Sequence, residues 1–396
     1  MHIAYYSPTW PPLNATNGIV TYVSQMKNAL EQKGHQVTVF TSAAIYAATG
    51  EVTKFSIPLP NFARRLRNRL PSLSHWHVKE GNILAAAVSP HFADVDLLEM
   101  EESFGFVGNL QKILPIPVIV RLHGPNFLGQ IDQLSGKTFF KFDPRTKNEG
   151  IAIKAARYVT APSIQILTDT LRYYCATPHI ANTIYNPAPE YDGILWSYEE
   201  SNRFEILHVG RFDRRKGADL MIQAFCLVAD KYEDARLIMV GPESGLQVET
   251  GERLNFVEYC QRYVPKKLRD RVIFLGSQER VNIDQLRLRS HVAVIPSRFE
   301  VQPYSALETL SVGTPLICAD GFADNALVID GETGWCFKNG SAESLASSII
   351  KAFECGDNIQ HVANAGREHC RTHFYPHVIG PRMIAFYEKV LKDYYS

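Results

Sequence analysis

Two carboxylates stand eight residues apart in the segment EVQPYSALE, at Glu300 and Glu308. The apolar run at 292–295 predicts a buried strand just before them. A helical pattern resumes near Pro303, because proline suits the first turn of a helix. Glu300 is therefore expected in the loop at the carboxyl end of the strand, where open α/β sheets bind ligands. Glu308 is expected inside the helix, about 7 Å along its axis from Pro303.

Carboxylates with this spacing could grip two separate diol groups of one long ligand, with phosphates bound at the helix N-terminus between them. A sugar nucleotide has that layout. Two ordinary surface glutamates would have the same spacing, so the segment by itself favours neither interpretation.

A second chemical feature is the basic segment HVGRFDRRKG, residues 208–217. A strand is predicted to end at Val209–Gly210, and Arg211 and Lys216 follow it in the loop before a helix that starts near Gly217. Two cations at a helix N-terminus form a site for a diphosphate, because the peptide dipoles and the side chains act together. Arg214 and Arg215 stand in the same loop, so the sequence leaves open which basic side chains face a ligand. Such loops are also often simply solvated.

The composition is that of an ordinary globular protein. The chain has 396 residues, long enough for two domains, and is 45% hydrophobic and 21% charged. Lys+Arg and Asp+Glu both total 41, so net charge gives no attraction to nucleic acid. The seven cysteines are scattered, which favours free thiols in a reducing compartment. No signal peptide and no apolar stretch of about 20 residues is evident, and a cytoplasmic location is expected.

Short apolar runs alternate with segments of helical period, which is typical of βαβ units and a parallel sheet. The sequence therefore predicts an α/β fold of two doubly wound, Rossmann-like domains that face each other across a cleft. The polar connector 186–202 separates the two halves. The predicted strands are His2–Ser7, Gln36–Thr41, Val95–Met100, Pro117–Leu122 and Tyr158–Pro162 in the first half, and Phe204–Val209, Arg236–Val240, Arg271–Leu275, His291–Ile295 and Pro315–Ala319 in the second.

The segment 61–79 interrupts this rhythm with four arginines among apolar residues. A helix there would be basic and amphipathic, and it could contact an anionic lipid surface or an acidic acceptor. The alternative is a solvated excursion without a partner. We favour the alternative, since four arginines give only marginal attraction to a membrane.

Other familiar functional motifs are incomplete, missing, or placed where a structural role is expected. Asp94–Val95–Asp96 has the D-x-D pattern of metal-nucleotide sites, but it opens a predicted strand, where a structural role is expected. Ser135–Thr138 lacks the first glycine of a P-loop, and no G-x-G-x-x-G follows the first strand. G-x-S-x-G and H-E-x-x-H are also missing, which argues against hydrolases and metalloproteases. No metal site is predicted.

Several segments, in a fixed order along the chain, carry a family resemblance. They are RLHGPNF (121–127), APS (161–163), YNP (185–187), GRFDRRKG (210–217), VIPSRFEVQPYSALETLSVGTPLI with its E-x7-E (294–317) and DGETGWCF (330–337). Together they span nearly the whole chain. The chain resembles the retaining glycosyltransferases of the GT-B fold, in the large family four (glycosyl transferases group 1).

The resemblance implies roles for particular residues. Arg211 and Lys216 would hold the donor diphosphate, Glu308 the ribose hydroxyls and Glu300 the hydroxyls of the donor sugar, while His123 would lie near that sugar at the reaction centre. The implied catalytic residues are Arg211, Lys216, Glu300 and His123. The implied donor-binding residues are Asn17, Gly18, Arg211, Lys216, Gly276, Ser277, Glu300, Gln302, Tyr304, Ser305 and Glu308.

Two positions depart from the family pattern. Gln302–Pro303 stand where an aromatic residue and a glycine are usual. Proline has no N–H, so the phosphate contacts would have to come from Tyr304 and Ser305. Asn17 replaces the first glycine of the N-terminal loop, which limits the backbone conformations available there.

The function implied is retaining transfer of a hexose or N-acetylhexosamine from a nucleotide diphosphate sugar to an acceptor hydroxyl, without a metal or other cofactor. UDP-sugar is favoured and GDP-sugar is possible. The acceptor, whether carbohydrate, lipid-linked or a small molecule, is expected to bind first-domain loops in 43–79 and 128–148. The expected domains are 1–190, with helix 376–396 packing back on it, and 203–375. The alternatives are a sugar-nucleotide epimerase or phosphorylase of the same shape, or a non-catalytic sugar-nucleotide-binding protein.

Overall fold

The computed structural model describes residues 1–12, 17–55, 75–132, 137–138, 143–248 and 250–396. Residues 61–74 of the basic segment lie outside this part of the chain, as do portions of the two regions expected to bind the acceptor. The described chain divides into two compact units, Met1–Pro187 with Pro376–Ser396, and Ala188–Tyr375. The division falls near the start of the connector 186–202, whereas the predicted domains end at 190 and begin at 203.

A mainly parallel sheet forms the centre of the first unit. Its strands are β1 (His2–Tyr6), β2 (Gln36–Phe40), β3 (Ala44–Tyr46), β4 (Val52–Lys54), β5 (Leu97–Glu101), β6 (Val118–Arg121), β9 (Tyr158–Ala161) and β10 (Ile180–Thr183), while β7 (Ile131–Asp132) and β8 (Lys137–Thr138) pair separately. The strand order is β10-β9-β6-β5-β1-β2-β3-β4. β2 and β5 flank β1 on opposite sides, so the topological switch point lies between β1 and β5.

The second unit repeats this design with a fully parallel sheet. Its strands are β11 (Asn202–Val209), β12 (Arg236–Val240), β15 (Val272–Phe274), β16 (Ser290–Ile295), β17 (Leu316–Ala319) and β18 (Trp335–Phe337), with a separate ribbon of β13 (Leu246–Gln247) and β14 (Arg253–Leu254). The order β15-β12-β11-β16-β17-β18 puts the switch point between β11 and β16. Loops that follow these two strands therefore meet at one edge of the sheet.

Helices connect the strands of both units. They are α1 (Gly18–Glu31), α2 (His75–Val88), α3 (Val107–Ile113), α4 (Pro144–Ala155) and α5 (Ile164–Tyr174) in the first unit, and α6 (Ala218–Ala229), α7 (Phe256–Tyr263), α8 (Arg280–Arg289), α9 (Tyr304–Val312), α10 (Ala342–Glu354) and α11 (Ile359–His373) in the second. α9 begins one residue later than its proline suggests, because Pro303 has extended backbone angles and takes the N-cap position. Gly313 ends α9 in the left-handed conformation, as expected of a glycine cap.

The last helix, α12 (Pro376–Tyr394), belongs to the first unit although it directly follows the final residue of the second. Gly380 allows close packing on α1, since a Cβ there would lie 3.3 Å from the Ala29 Cβ. Near the end of α12, Asp393 accepts hydrogen bonds from Arg157 at 3.0 Å and from the Tyr158 hydroxyl at 2.8 Å. No described helix combines the length and the apolar composition needed to span a bilayer.

Candidate active site

Close backbone contacts hold together the loops that follow β11 and β16. Gly217 has φ +72°, and a Cβ at this position would lie 1.9 Å from the carbonyl oxygen of Pro296. Gly241 is similar, with φ +146°, and a Cβ added there would lie 2.1 Å from the Gly210 carbonyl oxygen. The Arg298 N–H also donates to the Arg215 carbonyl at 2.9 Å. The close approaches at Gly217 and Gly241 require glycine. The Gly217 contact and the Arg298 bond fix the loop after β11 against the loop after β16, and Gly241, which follows β12, packs on the loop after β11.

An ion pair joins the two loops. The Lys216 ammonium donates to Glu300 Oε1, across 84 residues of sequence. Both side chains are largely buried, with 22% of Lys216 and 10% of Glu300 exposed. Burial alone would raise the pKa of Glu300, but the charges of Lys216 and Arg215 outweigh it and lower the pKa. Glu300 is therefore an anion at neutral pH.

The remaining basic residues of the loop have different surroundings. Arg211 is 45% exposed and pairs through Nε with Asp213 Oδ2 at 2.9 Å. Arg214 lies 3.9 Å from Asp219, a carboxylate that is already bound by both terminal nitrogens of Arg298. The structure thus separates cations that the sequence could not rank: Lys216 contacts Glu300 directly, whereas Arg211, earlier in the same loop, is exposed and paired with Asp213.

A buried histidine lies under this loop. His208 is 1% exposed, and a Cβ on Gly210 would lie 3.1 Å from its ring. Burial lowers the pKa of His208 to about 4, and the charge of Lys216 acts in the same direction. A neutral imidazole leaves Lys216 without a second positive charge directly beneath it.

Glu308 is positioned by an arginine that no sequence motif marks. Arg287, in α8, is completely buried, and its Nη2 donates to Glu308 Oε2 at 2.6 Å. Its Nη1 donates to Asp284 Oδ1 at 2.7 Å. The bond to Asp284 anchors the planar guanidinium, and the bond to Glu308 fixes that carboxylate on α9, while 18% of the Glu308 side chain stays exposed. In sequence, Arg287 looks like any residue on a solvated helix face.

The other donor-site candidates of the second unit lie at the ends of its elements. Gln302 is buried before α9, and Tyr304 and Ser305, both half-buried, open that helix. Because Pro303 is the N-cap, the first helical amides belong to Tyr304 and Ser305. Gly276 and Ser277 follow β15, and the Gly276 carbonyl accepts from the Gly241 N–H at 2.9 Å.

Asn17 and Gly18 lie at the start of α1 in the first unit, and both are exposed. The Asn17 side chain caps the helix, because its Oδ1 accepts the Ile19 N–H at 2.9 Å. The replacement of glycine by asparagine therefore satisfies one of the amides at this helix end.

His123 follows β6 in a turn held by a buried glutamate. Glu102 accepts the backbone N–H of His123 at 3.0 Å and that of Gly124 at 2.9 Å. Burial, together with the charges of Glu101 and Glu149, raises the pKa of Glu102 to about 8. Burial and the charge of Arg121 lower the pKa of His123 well below its usual value, so its imidazole is neutral. The sequence signal for Glu102 was the run of glutamates that ends the apolar strand β5.

The structure thus brings Lys216 and Glu300 into contact within the second unit, and it places Asn17, Gly18 and His123 in the first unit. No group of three or more His, Cys, Asp or Glu side chains in the described ranges could hold a metal ion.

Two family models match the chain, one in each half. The family model for glycosyltransferase family 4 matches residues 16–189, and the model for glycosyl transferases group 1 matches residues 196–369. The chain belongs to the family-four, group 1 glycosyltransferases, which confirms the resemblance found in its sequence. Mannosylfructose-phosphate synthase from Agrobacterium fabrum is 24% identical over 348 residues, which cover 79% of this chain and 73% of that protein.

Solved structures show the fold. Sucrose-phosphate synthase from Thermosynechococcus elongatus matches with a TM-score of 0.76 at 20% identity, over 99% of both chains. Anabaena HepE in complex with UDP-glucose matches with a TM-score of 0.68 at 16% identity, over 98% of this chain and 100% of that one. The predicted α/β class with two Rossmann-like domains, the GT-B fold, is therefore confirmed.

Proposed function

We propose that this glycosyltransferase moves a hexose or N-acetylhexosamine from a nucleotide diphosphate sugar to an acceptor hydroxyl with retention of the anomeric configuration. The observation that carries the proposal is the Lys216–Glu300 ion pair, held between the two loops at the switch point of the second sheet. A cation for a diphosphate and a carboxylate for sugar hydroxyls stand side by side there. Glu308, fixed by Arg287, supplies the second carboxylate for the ribose.

In the proposed reaction the bond between the anomeric carbon and the diphosphate oxygen breaks, and its electron pair stays on the phosphate. Lys216 and Arg211 stabilise the negative charge that develops on this leaving group. The acceptor oxygen attacks the same face of the sugar and transfers its proton to the departing phosphate. Glu300 holds the donor hydroxyls, and the neutral His123 orients the sugar by hydrogen bonding rather than acting as a base. Because fixed protein cations meet the leaving group, we propose that no metal or other cofactor is needed.

UDP-sugar is the favoured donor and GDP-sugar the alternative. The HepE structure with UDP-glucose supports UDP, because that protein has the same fold. We also propose that the enzyme works in the cytoplasm in carbohydrate biosynthesis. All seven cysteines are free thiols, which supports a reducing compartment.

Calorimetric titration with UDP, GDP, ADP and CDP tests donor binding, and incubation with the matching sugar nucleotides tests hydrolysis and transfer. We expect tight binding of UDP, turnover that resists EDTA, and a product whose anomeric proton coupling in NMR matches that of the donor. Failure of all four nucleotides to bind would reject the proposal, and an inverted product would reject retention alone.

A matched pair of variants localises the site. Lys216→Ala removes the ammonium paired with Glu300, whereas Lys231→Ala removes a lysine that forms an equivalent pair with Glu354 on the exposed surface of the same unit. We expect only the first variant to lose nucleotide binding. Equal behaviour of the two would remove Lys216 from the site.

A further inference from the structure

A buried polar cluster in the first unit surrounds Glu99, in the middle of β5. The Glu99 side chain is 1% exposed and accepts hydrogen bonds from the Tyr22 hydroxyl at 2.5 Å and the Tyr387 hydroxyl at 2.9 Å. The Tyr387 hydroxyl also lies 2.5 Å from that of Tyr5. Buried polar networks of this kind hold their members in one geometry, because any unmade hydrogen bond would leave a desolvated group unpaired. We call Glu99, Tyr22, Tyr387 and Tyr5 the Glu99 cluster.

One member of the Glu99 cluster touches the candidate reaction centre. The Tyr22 ring packs against the His123 imidazole with 4.8 Å between centroids and an interplanar angle of 72°, an edge-to-face contact. The Arg121 guanidinium lies 4.8 Å from the Tyr22 centroid. Because Glu99 binds the hydroxyl end of Tyr22, the tyrosine ring cannot tilt without breaking a buried hydrogen bond. The position of the imidazole therefore depends on Glu99.

Another member of the cluster comes from the opposite end of the chain. Tyr387 lies on α12, 288 residues from Glu99, and is fully buried. α12 starts immediately after Tyr375, the last residue of the second unit. Glu99 thus joins the helix that leaves the second unit to the aromatic ring that supports His123.

We propose that Glu99 and Tyr387 are positioning residues for His123: the Tyr387 hydroxyl holds the Glu99 carboxylate, and Glu99 in turn holds the Tyr22 ring against the imidazole. The proposal rests on the proposed function for its effect on turnover. Both residues are buried, and they act through the Tyr22 ring. Two hydrogen bonds and one ring contact connect α12 to His123, through Glu99 and Tyr22.

If Tyr387 only helped to pack α12, any substitution that loosens the helix would have the same effect as the loss of its hydroxyl. A second residue of α12 provides the control for this possibility. Asp393 fastens the far end of α12 through Arg157, Tyr158 and His179, and it does not contact the Glu99 cluster. Asp393→Asn therefore weakens the docking of the far end of the helix. Tyr387→Phe removes only the hydroxyl that donates to Glu99 and keeps the buried ring.

The direct measurement is the NMR spectrum of the full-length protein labelled in its histidines, with the His123 ring signals assigned by their loss in His123→Gln. We expect the His123 signals to shift in Tyr387→Phe and to stay in place in Asp393→Asn. Unshifted His123 signals in Tyr387→Phe would overturn the proposal, as would equal shifts in both variants. Glu99→Gln is judged by the same criterion if Tyr387→Phe fails to fold.

Turnover gives the second measurement. Because displacing a group near the reacting atoms slows the reaction, we expect Tyr387→Phe to lower kcat by about tenfold, while UDP binding by the second unit stays unchanged. A fall of the same size in Asp393→Asn would assign the effect to helix docking alone. The NMR measurement needs no turnover, so a protein without transferase activity would refute the proposed function and still report whether Tyr387 positions His123.

Discussion

Replacement of Lys216 by alanine separates the two roles that the structure allows for this residue. One role is to stabilise the diphosphate leaving group, and the other is only to neutralise Glu300. An exposed ion pair contributes about 0–1 kcal/mol to stability, and disruption of a fully buried pair costs about 3–5 kcal/mol. The burial of the Lys216–Glu300 pair lies between these two cases. We therefore expect Lys216→Ala to lower the free energy of unfolding by about 2 kcal/mol.

The effect on catalysis should be larger than the effect on stability. Removing one charge-stabilising donor from an active site lowers kcat by about 10²–10³-fold, or roughly 3–4 kcal/mol of transition-state stabilisation. A hydrogen bond to a charged group contributes about 1.5–3 kcal/mol, so UDP should also bind roughly 10–100-fold more weakly. Stability follows from urea titration, affinity from calorimetry with UDP, and kcat from initial rates of donor consumption.

Glu300→Gln is the matched variant, because it breaks the same ion pair from the other side and leaves Lys216 in place. UDP carries no sugar, so we expect Glu300→Gln to bind UDP as the wild type does and to lose turnover with the full donor. If Lys216→Ala also bound UDP with wild-type affinity while remaining folded, Lys216 would have no contact with the diphosphate, and the reasoning would fail.

Three further substitutions test the supports of the site. Gly217→Ala should lower the free energy of unfolding by more than about 3 kcal/mol and weaken UDP binding, since its Cβ would collide with a carbonyl oxygen. Gly340→Ala is the control, because Gly340 has φ +82° and open space around it. This control should lower the free energy of unfolding by about 1–2 kcal/mol in urea titrations and leave UDP binding intact. Arg287→Met should raise the donor KM about tenfold with a smaller change in kcat, because Glu308 loses its fixed orientation; an unchanged KM would contradict this. The pKa of Glu102 is raised from 4.5 to about 8, so between these values the folded state holds a proton that the unfolded state releases. The contribution of this proton to the free energy of unfolding is full below pH 4.5 and declines by up to about 1.4 kcal/mol per pH unit until pH 8. Glu102→Gln should flatten that decline in urea titrations between pH 5 and 8, and a slope equal to that of the wild type would refute the assignment.

Local patterns account for how much of the fold the sequence predicts. Every predicted strand lies within two residues of an observed one, as with His291–Ile295 against the observed Ser290–Ile295. Central parallel strands are buried on both faces and read as unbroken apolar runs, and glycine and proline mark the helix ends. The one-residue error at Pro303 arose because proline fits the N-cap of α9 as well as the first turn.

The class of fold, the family and the candidate residues could all be read from the amino-acid sequence, because they depend on residue types at short spacing and on the order of such segments along the chain. The folded chain was needed to show which of the candidates act together. The contact of Lys216 with Glu300 depends on β11 and β16 being neighbours at the switch point, and strand order is a non-local property. The same holds for Arg287 beneath Glu308 and Glu102 beneath His123. Their importance comes from burial against a partner in another element of the fold. The run of glutamates at the end of β5 marks where Glu102 lies, but no local pattern distinguishes a buried charge from one exposed to water.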